Sequence, residues 1–375
     1  MIRVFLVVLV GWAFLLPGVV SAQAVHQEWQ ELARAEVIEV VEEFERDIMG
    51  TNTTTTVQTL RVQLLSGSKE GEVVRLDNDL AVLAKGDQIF VDRLVAIDGT
   101  EYYQFKDVER RPQLLYLTGF FIVLVFVFAG WQGMRAVGSL ALSIAAIVFL
   151  LVPALLNGYS PVLASLGIAA VILAATLFLT HGINPRSVIA YIGTMTAVAV
   201  TCVVSLVSVS SMRLTGFASD ASVFLNFSTG GTLDFAGLLL GSIIIGLLGV
   251  LDDVSITQAS VVQELRAANS GLSWRELYAR ALRVGRDHVG SLVNTLALAY
   301  VGAALPLVLL FARTDSALAL TLNQEVVAVE LVRIIVGSIG LILAVPFTTV
   351  LAAWYFKDKV VPGSVSHHGH HHHHH

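Results

Sequence analysis

The chain is poor in charge and in cysteine. Asp, Glu, Lys and Arg make up 14% of its 375 residues, where soluble domains carry about 25%. That scarcity, with 55% hydrophobic residues and a mean hydropathy of +0.75, excludes a disordered chain, a coiled coil and a free-standing cytosolic enzyme. The single cysteine, Cys202, sits in an apolar run, so an intrachain disulfide and a cysteine-based zinc site are excluded too. Histidine is scarcer than its count of 11 implies, because residues 363–375 read as a purification tag and leave only His26, His181 and His288. No basic, aromatic-studded stretch points to nucleic acid, and no residue pattern points to a cofactor or metal.

Charge is also unevenly placed. Residues 25–112 hold 18 acidic and 10 basic side chains, whereas residues 113–375 hold 11 and 12. Ahead of them, residues 1–24 have a basic start, an apolar core and a small-residue end, as a cleaved signal peptide does. Residues 25–112 show short runs of alternating or β-branched residues near 36–44, 57–65, 72–76, 87–97 and 101–108, parted by Gly67, Gly71, Gly86 and Gly99. Five strands in so short a stretch predict a small extracytoplasmic OB-like β-barrel.

After Arg110-Arg111-Pro112 the hydropathy rises abruptly, and seven segments reach spanning length: 113–132, 137–156, 160–180, 188–212, 233–251, 289–311 and 326–356. The predicted fold is therefore a membrane all-α bundle of seven transmembrane helices, over residues 113–358, carrying the β domain. An exported N-terminal domain places Arg135, Arg186, the 266–286 loop and Lys357/Lys359 in the cytoplasm, with only Arg213 and Arg313 outside. The expected location is the cytoplasmic membrane, N-terminal domain outside and C-terminus inside. Residues 252–288 read as a basic cytoplasmic connection of two short surface helices, the first opened by a capping box at Ser255-Ile256-Thr257-Gln258. Val137-Gly138-Ser139-Leu140 ahead of Pro153 is echoed by Val289-Gly290-Ser291-Leu292 ahead of Pro306, a weak sign of an internal repeat.

Three stretches carry a likeness to a known group: 233–254, with its glycines and Asp252-Asp253; Gly285-Arg286-Asp287-His288 with Asn294-Thr295 and Tyr300; and Glu330-Leu331-Val332-Arg333 with Gly337 and Gly340. On these the chain resembles the YibE/F-like membrane proteins. The resemblance implies a polytopic membrane protein and no particular activity.

Polar groups in hydrocarbon cost several kcal/mol, so each is a functional candidate. Asp252 and Asp253 end a glycine-broken apolar run, where they either bind a cation or proton or cap the next helix; Asp234 opens the same run. Glu330 and Arg333 share a face, either as a structural ion pair or as part of a path, with Glu325 one turn above. Asn294 and Thr295 lie on a small-residue face with Ser291, Gly302 and Pro306, suited to packing or to coordination beside Asp252/Asp253. Tyr191, Thr194, Thr201, Ser205 and Ser208 repeat at helical spacing, a stripe of hydroxyls that either lines a wet route or joins helices. His181 reads as a loop residue. The leading expectation is a transporter for a small polar solute, ion- or proton-coupled, homo-oligomeric through Gly237-x-x-x-Gly241. The alternative is a non-transporting assembly or signalling protein whose β domain binds a partner; no enzyme signature is visible.

Overall fold

The computed structural model describes residues 29–50, 53–96, 99–313 and 317–359. The expected signal peptide and tag lie outside these residues. The chain divides at Phe128/Ala129 into two compact units.

The first unit holds one antiparallel sheet of order β3-β2-β1-β4-β5, from β1 (Trp29–Ile48), β2 (Thr53–Leu64), β3 (Val73–Asn78), β4 (Gln88–Val95) and β5 (Glu101–Val108). Period-2 alternation sends Ala33, Ala35 and Val37 of β1 inward against Leu60, Val62, Leu64, Ile89, Val91 and Phe105, while Leu32, Arg34 and Glu36 face out. Burying a side chain such as Leu60 or Ile89, both fully enclosed, contributes roughly 2–3 kcal/mol. Register shifts at Val37/Glu39 and Val40/Glu42 bend β1, so that it serves two neighbours along its length. No ladder pair among the described residues joins β3 to β5. The sheet is open, and the closed barrel is not observed.

The helices are α1 (Arg111–Ala146), continued by a π-turn (Ile147–Leu151) into α2 (Val152–Leu156); α3 (Pro161–His181); α4 (Pro185–Ser211); α5 (Asp220–Ser228); α6 (Phe235–Ala268); α7 (Trp274–Ala303); α8 (Leu305–Ala312); α9 (Leu318–Asn323); and α10 (Glu325–Phe356). Among the described residues five helical stretches are long and apolar enough to cross a membrane, six if α7 and α8, bent by 67°, count as one. Seven separate spans are not observed, because the first two expected segments share one helical stretch, Arg111–Leu156. Besides the π-turn, it departs from α geometry at Gly130, whose φ of 55° and ψ of −142° are open to glycine alone. The two echoed Val-Gly-Ser-Leu segments each lead into a loss of α geometry just ahead of proline: the π-turn before Pro153 and the bend at Ala304 before Pro306.

In the second unit α4, α6 and α10 pack on one another, α3 lies against α6, and α7 against α10 and α6. Proline at the first helical position starts α3 and α4, and the Asn184 side chain accepts the Ser187 N–H at 3.0 Å to cap α4. The long connection expected over 252–288 shrinks to residues 269–273. α6 runs unbroken through Asp252-Asp253 because Leu251, Val254, Ser255, Gln258, Ala259 and Val262 keep helical spacing on its buried face. The working capping box is at Ser273 and Glu276, which opens α7.

Candidate functional site

Glycine fixes how closely the central helices meet. A methyl added at Gly340 of α10 would lie 2.5 Å from the Thr201 hydroxyl of α4, one at Gly193 of α4 would run into Thr348 of α10, and one at Gly337 would lie 2.7 Å from Leu247 of α6. These contacts, with the Glu325 carboxylate accepting from the Thr215 and Gly216 N–H groups at 2.7 and 2.8 Å, set α4 and α10 antiparallel in one register. Glu325 is therefore a clamp on the loop after α4 and does not extend the charge pair.

Along this interface the hydroxyl stripe of α4 turns inward: Thr194, Thr201 and Ser205 are fully buried, Tyr191 and Ser208 partly. Tyr191 stacks at 5.8 Å on Phe178 of α3. Serine and threonine in a helix ordinarily satisfy themselves on the carbonyl four residues back. Thr201 does so on Ala197 at 2.7 Å and Thr349 on Val345 at 2.6 Å. Thr194, Ser205, Ser255 and Thr348 do not; their buried oxygens have no hydrogen-bond partner. All four lie on the mutually packed α4, α6 and α10.

Both ends of this polar line carry stronger groups. Toward one end Arg333 donates to Glu330 at 2.5 Å, half-buried, with Tyr300 of α7 in electrostatic reach. Toward the other, the Gln258 amide of α6 donates to the Ala281 carbonyl of α7 at 2.9 Å and to the Thr349 hydroxyl of α10 at 2.8 Å, tying three helices. Thr348 and Thr349 escaped the sequence reading, which took Ser255 and Gln258 as a helix start and Tyr300 only as part of the family likeness. The signal for Gln258 was there: an amide at buried helical spacing, masked by its likeness to a helix start.

The other expected residues are scattered. Asp234 caps α6, accepting the Gly237 N–H at 2.9 Å. Asp252 is half-buried beside the Thr176 hydroxyl of α3, and Asp253 is exposed, within electrostatic reach of His181. His181 is the last residue of α3, and its Nδ1 is buried without a partner. Asn294 and Thr295 are exposed. Gly285 and Leu296 fix the face of α7 that meets its neighbours, and Asn294, nine residues past Gly285, points the opposite way. It is not beside Asp252/Asp253. Gly237 and Gly241 are occupied inside the chain, pressed against Pro161 and Ser165 of α3.

The sequence pattern of the YibE/F-like protein family matches residues 117–358, more than half of the chain. The chain belongs to the YibE/F-like family. The match spans the apolar helices and leaves out the sheet, so this YibE/F-like protein is a multi-pass membrane protein with an additional N-terminal antiparallel sheet. No curated protein and no solved structure matches it.

Proposed function

We propose that this YibE/F-like protein is a transporter for a small polar solute, with its path along the interface of α4, α6 and α10. One observation carries the reading: Thr194, Ser205, Ser255 and Thr348 keep buried, unpartnered hydroxyls where back-bonding was open to them. A polar solute or a file of water moving between these helices gives those oxygens their partners, with Glu330/Arg333 at one mouth and Gln258 at the other. Asp252, Asp253 and His181 are the ionisable groups that would couple ion or proton movement to it. The test is solute flux into liposomes holding the purified protein, with urea, glycerol, glycine, glucose and potassium chloride as probes. Flux of one probe lost in Thr194→Val and Thr348→Val supports the path, and flux of none above empty liposomes contradicts it.

The same proposal takes the break at Gly130 as a turn between two crossings, which makes seven and puts the C-terminus in the cytoplasm opposite an exported sheet. A reporter fused after residue 359 that is active only outside the cytoplasmic membrane would overturn that count. The sheet is taken as an OB-like barrel left open between β3 and β5, supported by its 3-2-1-4-5 order. With Gly237 and Gly241 already covered by α3, homo-oligomerisation uses another surface.

One observation favours the assembly reading. β1 and β2 run past the rest of the sheet, since β4 pairs with β1 only as far as Glu36 and β3 with β2 only from Gln58, and the projecting ribbon exposes Val41, Phe44, Ile48 and Met49. Loss of function with unchanged solute flux on replacing Phe44 and Ile48 by Ser would favour partner binding over transport.

A further inference from the structure

The outer face of α7 presents a chemical problem. Arg283, Asp287, Asn294, Leu298 and Val301 fall on one line of the helix, opposite the side that packs on α6 and α10, and all are exposed. Asn294 lies six residues past His288, roughly 9 Å further along the apolar half of the helix. A primary amide facing lipid leaves donors and acceptor without partners, which is costly in hydrocarbon. Among the described residues nothing relieves it: neither Arg283 nor Asp287 enters an ion pair, and Asn294 makes no side-chain hydrogen bond.

We propose that this face of α7 is the contact between two copies of the chain, related by a two-fold axis along the membrane normal that passes near Asn294. The line is self-complementary layer by layer. A second copy in the same membrane meets the first at equal depth, so Asn294 faces Asn294 and each amide donates to the other's carbonyl oxygen. Two to three turns toward the charged end, Asp287 of each copy meets Arg283 of the other. In the opposite direction Leu298 and Val301, 62% and 42% exposed, cover one another. Gly290 and Gly302 have open space where a side chain would stand, which allows close approach. A different partner would need the same order of charge, amide and apolar residue at the same depths, which a second copy supplies by symmetry.

Cys202, the only cysteine, is buried, so introduced cysteines report cleanly in a Cys202→Ser background. Asn294→Cys and Leu298→Cys are expected to form an oxidised dimer in native membranes, while Leu163→Cys on α3, 71% exposed, stays monomeric. In mild detergent, Asn294→Leu should weaken dimerisation about threefold to tenfold, with the melting temperature of the monomer unchanged. Absence of cross-links at both α7 positions, equal cross-linking from Leu163→Cys, or an unchanged dimer in Asn294→Leu would each overturn the proposal.

Discussion

The sheet and the central helices treat polar side chains in opposite ways. On the sheet Arg93 donates to Glu31 at 2.9 Å and Glu101 at 2.7 Å, Lys69 pairs with Glu101 at 2.8 Å, and the Tyr103 hydroxyl donates to the same carboxylate at 2.8 Å. With Arg93 first and Lys69 next, these partners pull the Glu101 carboxyl down to about 2. In the helices, residues of the same kind on the same faces divide into paired (Thr201, Thr349) and unpaired (Thr194, Ser205, Ser255, Thr348). Since the paired ones show that back-bonding is available, helix chemistry alone does not explain the rest. Polarity in this cluster of the sheet is paired; along α4, α6 and α10 much of it is not.

The largest effect is expected where a glycine lets α10 close on α4. Gly340→Leu drives a side chain into Thr201 and should lower stability by about 3 kcal/mol or more, read as a large fall in the detergent melting temperature. An unchanged melt would mean that α4 and α10 do not meet there. Gln258→Leu removes the donor to Ala281 and Thr349 and should cost about 1–3 kcal/mol in the same assay.

The comparison breaks or holds on the hydroxyl pair. Thr201→Val loses a hydrogen bond and should destabilise by about 0.5–1.5 kcal/mol, whereas Thr194→Val and Thr348→Val remove buried groups that have none and should leave the melt unchanged or raised. Equal destabilisation by all three would erase the distinction. The smallest effect belongs to the sheet. The folded pKa of Glu101 lies below its ordinary value of 4.5, so its contribution is fully present above that value and is lost as pH falls from about 4.5 toward 2. The urea midpoint of the sheet, followed by amide exchange in β4 and β5, should show that loss, and Glu101→Gln should flatten it.

Much of the architecture was legible in the sequence because it rests on local periodicity. Alternation marks five strands, and hydropathy separates them from the apolar helices. The 3/4 spacing of the α4 hydroxyls found the polar line. What escaped depends on long-range seating. Whether Asn294 faces Asp252 or lipid is decided by Gly285 and Leu296 locking the rotation of α7. Whether a helix ends at Asp252-Asp253 is decided by the neighbours of Ser255 and Gln258, since a charged pair lowers hydropathy without interrupting helical spacing. Gly237/Gly241 looked like an outward contact because sequence shows that a face is small without showing what already covers it.

If α4, α6 and α10 line a path, water-sized polar species reach the unpaired hydroxyls, and thiol accessibility reads that out. Thr194, Ser205 and Thr348 would be replaced singly by cysteine in liposome-embedded protein and exposed to a small charged methanethiosulfonate, with Cys202, buried on the same helix as Thr194, as the internal control. The path predicts that the introduced thiols are modified while Cys202 is not. Introduced thiols as unreactive as Cys202 would show a dry, sealed interface and contradict the account.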